Sequence, residues 1–95
     1  MELPLAITRA GGQRISEIGL TRNISSGGVL FTAARPMDIG GPIEYVITLS
    51  GRKEHSVNLR CMGKVVRFEK AGLSEQSPFE VAATLERYEF VRSGR

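Results

Sequence analysis

Apolar and polar residues alternate along most of the chain with a period of two, the signature of strands that bury one face. The pattern is cleanest over residues 43–50, where Ile43, Tyr45, Ile47 and Leu49 alternate with Glu44, Val46, Thr48 and Ser50. Leu3, Leu5 and Ile7 alternate with Pro4, Ala6 and Thr8, and Gly11–Gly12 then marks a turn. Over residues 14–24, Ile18, Leu20 and Ile24 share one parity with Arg22, which predicts Leu20 and Ile24 in the core. Thr21, Asn23 and Ser25 take the other face. Residues 29–33 and 79–85 read as two further strands, and ARPMDIGGP as a loop between strands. Residues 55–69 form a long run in which Val57, Leu59 and Cys61 share a parity opposed to that of Val66 and Phe68. This slip predicts a bulge near Gly63. SGRKEH reads as a hairpin tip, EKAGLSEQSP as a loop, and the tail ERYEFVRSGR as one or two helical turns.

Six or seven short strands with almost no helix close most economically into a small antiparallel barrel, which also removes exposed edges. The 95 residues make one domain, spanning 1–95, with 41% hydrophobic residues, a normal share for a globular chain. No apolar run reaches the roughly 18 residues of a membrane span, so no membrane insertion is expected. The single cysteine, Cys61, has no internal partner, and the N-terminus lacks a signal-peptide pattern. A reduced compartment, the cytoplasm, is the expectation. The net charge is +3 and the cations are scattered singly, unlike the basic stripe of a nucleic-acid binder.

Catalytic apparatus is not visible. The one histidine, His55, stands among Arg52, Lys53 and Glu54 with no second ligand nearby, so neither a metal site nor a Ser-His-Asp arrangement is expected. Cys61 shares its strand face with Val57 and Leu59 and reads as a buried structural thiol. The Gly-Gly pairs precede no long helix that would hold phosphate. The chain is expected not to be an enzyme and to need no cofactor.

The stretch RNISSGG, residues 22–28, is the one concentration of polar chemistry. Alternation sends Asn23 and Ser25 to the same side, about 6.5–7 Å apart. Together they offer an amide and a hydroxyl. Gly27 and Gly28 permit positive φ and close approach of another molecule, and consecutive N–H groups in such a turn can form an anion-accepting nest. The same residues also make an ordinary hairpin turn, for which Asn, Ser and Gly are standard. Composition leaves both readings open.

Asn23-Ile24-Ser25-Ser26-Gly27-Gly28 matches the pattern [D/N]-x-S-x-x-G. With GLTRNISSGGVLF, MDIGGPIEYVITL, NLRCMGKVVRFE and FEVAATLERYEF in this order, the chain resembles the PilZ domain family from about Leu3 to Phe90. That resemblance implies an all-β fold, a small six-stranded antiparallel barrel with a short C-terminal helical turn. It also implies a ligand, the bacterial second messenger cyclic di-GMP. Asn23 and Ser25 would hydrogen-bond its guanine or phosphate groups, and Gly28 would keep the turn free of side chain. Arg22 is a nearby cation outside the motif.

Ligand-binding PilZ domains also carry Arg-x-x-x-Arg just before the first barrel strand, a bidentate grip on guanine and phosphate. That spacing occurs nowhere here: Arg9 and Arg14 are five apart, as are Arg87 and Arg92. The element lies before Met1 in a longer protein, or this member has lost it. Three functions follow. The first is a cyclic di-GMP sensor domain of a bacterial signalling protein, binding weakly as this chain and coupled to a fused or separate effector. The second is a PilZ-like protein-interaction adaptor without nucleotide. The third, a nucleic-acid-binding barrel, ranks last, because two Tyr, four Phe and no Trp leave few stacking platforms and no DNA or RNA partner is expected.

Overall fold

The computed structural model describes residues 2–51, 55–70 and 78–94, apart from the side chains of 50, 51, 55, 56, 93 and 94. Seven strands follow one another: β1 (Pro4–Ala10), β2 (Gln13–Ile24), β3 (Gly28–Ala33), β4 (Pro42–Gly51), β5 (His55–Lys70), β6 (Phe79–Thr84) and β7 (Arg87–Gly94). All pairings are antiparallel, in the order β4-β1-β2-β3-β6-β5-β7, and a β4–β5 pairing closes the first six into a barrel. The expected six-stranded barrel is present, with one strand outside it. No helix long and apolar enough to cross a membrane occurs among the described residues.

Strand β5, 16 residues long, serves both walls. Its residues 56–64 pair with β4, and 65–70 pair with β6. The inward residues of six strands fill the interior, among them Leu5, Ile7, Val29, Phe31, Ile43, Tyr45, Ile47, Cys61, Val65 and Val81. Tyr45 crosses the core. Its ring lies 5.6 Å from that of Phe31, and its hydroxyl donates to the Thr84 carbonyl at 3.2 Å. This partner satisfies a polar group that burial would otherwise penalise. Burial also pushes the pKa of the Tyr45 phenol up, with a smaller push from Cys61 beside it, and lifts that of the Cys61 thiol to about 11.

The structure corrects four readings. The tail is not helical: residues 87–94 form β7, which pairs with residues 55–62 of β5. Beyond Val65, β5 pairs with β6; before it, the same edge is open, and the β-prone Tyr88, Phe90 and Val91 satisfy it. The inner face of β2 is also the opposite of the one expected. Gly19 and Thr21 point inward, whereas Ile18 is 77% and Leu20 43% exposed. A side chain at Gly19 would run into the Thr32 carbonyl, so only glycine fits there.

Two bulges account for the parity changes. Thr21 faces Phe31 and Asn23 faces Leu30, so Arg22 is the extra residue, and the slip returns Ile24 to the core side. In β5 the slip falls between Val65 and Arg67, at the half-exposed Val66, and not at Gly63. Gly63 has a different role, lying hard against the Thr84 carbonyl. The tip expected at residues 50–55 lies mostly outside the described residues, as does most of the loop expected at 69–78, where Glu69 and Lys70 are still strand.

Candidate ligand-binding site

Strand pairing carries the RNISSGG stretch onto the outer face of the wall made by β2, β3, β6 and β5. Asn23 lies opposite Leu30, Leu30 opposite Ala82, and Ala82 opposite Arg67. These four residues form one row across four strands. At about 4.8 Å per strand, Asn23 and Arg67 stand about 14 Å apart along the sheet. Leu30 and Ala82 make a low apolar floor between an amide at one end and a guanidinium at the other. A shallow open hollow of about 210 Å³ is lined by Asn23, Ser25, Gly28, Val29, Leu30, Arg67 and Ala82.

The structure therefore brings Asn23, Ser25 and Gly28 together. Asn23 and Ser25 are exposed, and the Asn23 amide has no intramolecular partner among the described residues. The Ser25 hydroxyl donates to the Gly28 carbonyl at 3.3 Å, and its backbone N–H donates to the same oxygen at 2.9 Å. The hydroxyl oxygen keeps its lone pairs free to accept. The turn is anchored to β6 through Leu85 N–H, which donates to the Gly27 carbonyl at 3.1 Å.

The glycines act differently from expectation. Positive φ occurs among the described residues at Gly11, Gly12 and Gly40, not at Gly27 or Gly28. A nest needs alternating signs of φ, so the 25–28 turn does not form one. Gly28 is needed for close approach of protein to protein: an added Cβ would sit 2.9 Å from the Ala83 carbonyl.

Arg22 reaches solvent on this outer face because of the bulge. Its guanidinium is held by Glu80 at 3.5 Å and Glu2 at 3.8 Å, and it does not line the hollow. Arg67 lines it instead and has no carboxylate partner among the described residues. Sequence reading missed Arg67 as a site residue. Its only signal was the Gly-x-Val-Val-Arg string, and nothing local in β5 tells that residue 67 lies in register with residue 23.

The start of the chain runs beside the same bulge. Leu3 N–H donates to the Thr21 hydroxyl at 2.8 Å, and Thr21 N–H donates to the Leu3 carbonyl at 2.9 Å. A family model described as PilZ domain matches residues 1–90. The chain belongs to the PilZ domain family. No curated protein and no solved structure matches it. PilZ domains are regulatory binding domains, and the polar hollow of this PilZ barrel sits where the family pattern falls in the sequence.

Proposed function

We propose that this PilZ barrel is a cyclic di-GMP-responsive sensor domain of a bacterial, cytoplasmic signalling protein. In this reading Asn23, Ser25 and Gly28, with Arg67, form the stationary half of the ligand site. One observation carries it: the three residues of the family pattern and an unpaired arginine meet in a single hollow. The Asn23 amide matches the edge of a guanine, and Arg67 matches an anionic or guanine acceptor in bidentate geometry.

The hollow's size supports only half a site. Its roughly 210 Å³ falls below the 300–1,000 Å³ typical of pockets that enclose a drug-sized ligand, and a cyclic dinucleotide is larger still. The remaining grip, on the family resemblance, is the Arg-x-x-x-Arg element, a spacing these 95 residues do not contain. Residues placed ahead of Glu2 would leave the barrel beside Arg22 and Thr21, within reach of the hollow. Such an arm ordering over the ligand would reposition whatever precedes the barrel, which turns binding into output for a fused or separate effector.

Each charge-assisted hydrogen bond to arginine contributes about 1.5–3 kcal/mol, so lacking two weakens a micromolar complex to millimolar or worse. The 95-residue chain is therefore a weak binder. Calorimetric titration of cyclic di-GMP into this chain, into a version extended with native upstream residues, and into Asn23→Ala, Ser25→Ala and Arg67→Ala forms of the better binder tests the proposal. Heat from the extended protein that disappears in the variants supports it. An extended protein carrying an Arg pair that takes up no ligand overturns it. The second reading, a nucleotide-free adaptor, is favoured by the neutralisation of Arg22, which leaves one free cation lining the hollow among the described residues.

A further inference from the structure

The barrel's other wall, built from β2, β1, β4 and β5 and extended by β7, has a different chemistry. Its outer face is ordered in rows. Ile18 lies opposite Ala6, Ala6 opposite Val46, Val46 opposite Arg60, and Arg60 opposite Glu89. A parallel row sets Arg14 opposite Arg9 and Arg9 opposite Glu44. The two rows thus place exposed branched apolar side chains next to a band of arginines. Ile18 and Leu20, adjacent on this face of β2, are 77% and 43% exposed. An open hollow of about 360 Å³ lies between the arginines and Val46.

The charges do not cancel. Glu44 is shared by Arg9 at 3.4 Å and Arg60 at 3.3 Å, and Arg60 also meets Glu89 at 3.6 Å. Arg14 and Arg87 have no carboxylate partner among the described residues. Four arginines and Lys64 less two glutamates leave this wall at +3, the net charge of the whole chain. Aromatic side chains are missing from it among the described residues: Tyr88 and Phe90 lie opposite Cys61 and Leu59 on the inward parity, turned away from this face.

We propose that this wall is a docking surface for a carboxylate-rich segment of a partner protein whose apolar side chains alternate with its acids. The apolar residues would cover Ile18, Leu20 and Val46, and the carboxylates would pair with Arg14, Arg9 and Arg60. A second copy of the chain is disfavoured, because two +3 walls face to face repel. A nucleic acid is disfavoured too: phosphates gain nothing from Ile18 and Leu20, and no ring on this wall stacks a base. The surface lies apart from the Asn23 hollow, so the proposal stands or falls independently of nucleotide binding.

The test uses the full chain, labelled with nitrogen-15, and follows its amide signals. The probe is a short capped peptide alternating Glu and Leu. An oligo-glutamate of the same length and a short single-stranded oligodeoxynucleotide run beside it. The expected result is shifts centred on Arg9, Arg14, Ile18, Leu20, Val46 and Arg60, with weaker binding of oligo-glutamate. Ile18→Ser and Arg14→Gln should each weaken the peptide about tenfold, higher salt should weaken it further, and Asn23→Ala should leave it unchanged. Both positions are exposed, and an unaltered melting curve establishes that each variant folds; if Ile18→Ser fails this, Arg14→Gln decides. Absence of peptide binding, shifts on another face, variants that bind like the wild type, or tighter binding of the oligonucleotide to this wall would each overturn the proposal.

Discussion

Substituting Gly63 by Ala should damage this barrel far more than a one-carbon change suggests. The added Cβ would press into the Thr84 carbonyl oxygen, with the carbonyl carbon at 2.7 Å and the Thr84 hydroxyl oxygen at 2.8 Å. Comfortable contacts need about 3.5 Å, so the end of β6 must retreat from β5 by close to an ångström or more. Thr84 cannot retreat freely. Its carbonyl accepts the buried Tyr45 hydroxyl at 3.2 Å, its hydroxyl accepts Lys64 N–H at 2.9 Å, and its backbone pairs with Gly28.

Overpacking costs about 1–3 kcal/mol, and each hydrogen bond lost adds about 0.5–1.5 kcal/mol. Reduced freedom of the unfolded chain returns about 0.4–1 kcal/mol. The net loss is about 2–4 kcal/mol, and at about 4–8 °C per kcal/mol for a domain of this size Tm should fall by about 10–30 °C. Gly27→Ala is the control, because nothing lies within 4 Å of its added Cβ and its φ is ordinary. It should stay within about 0.5 kcal/mol of the wild type. Thermal unfolding followed by circular dichroism reads both. A Gly63→Ala protein melting within about 2 °C of the wild type would refute the close approach of β5 to Thr84.

Further outcomes follow from the same geometry. Ile18→Ser should change stability by less than about 0.5 kcal/mol, where a core isoleucine would cost several times that; a urea midpoint decides it. Among ligand-site variants, Arg67→Ala should weaken cyclic di-GMP about tenfold or more in calorimetry, and Arg22→Ala much less, because Arg22 is already engaged by Glu80 and Glu2. Alkaline pH should destabilise the fold. The folded Cys61 thiol titrates near 11 against an ordinary 9.0, so the unfolded chain gives up its proton first. Stability is full below pH 9 and falls by up to about 1.4 kcal/mol per pH unit towards pH 11. Tyr45, whose pKa burial also raises, adds to the loss above its ordinary 10.0. Cys61→Ala should remove the part of the urea-midpoint drop that begins at pH 9.

Much of this could be read before folding. Over residues 43–49 the alternation reports burial directly, because both neighbours of β4 are antiparallel and one face of the wall is wet. The same reasoning failed in β2. Ile18 and Leu20 are the larger apolar residues, yet Gly19 and Thr21 face inward. Local hydrophobicity cannot register that the Thr32 carbonyl leaves no space for a side chain at position 19. The tail failed for a related reason: whether residues 87–94 coil or extend depends on the open edge of β5, which no stretch of the tail encodes.

Asn23, Ser25 and Gly28 stand out only by their match to a family pattern, whereas the chain by itself determined the all-β class and the closure into a barrel. These follow from side-chain chemistry and from a repeat of two that any extended backbone obeys. Tertiary structure alone decided that a bulge at Arg22 turns that arginine outward towards Glu80, and that Arg67 joins Asn23 in one row. Register between strands far apart in sequence is set by summed packing and hydrogen bonding across the whole barrel, and one slip of a residue sends every side chain beyond it to the other face.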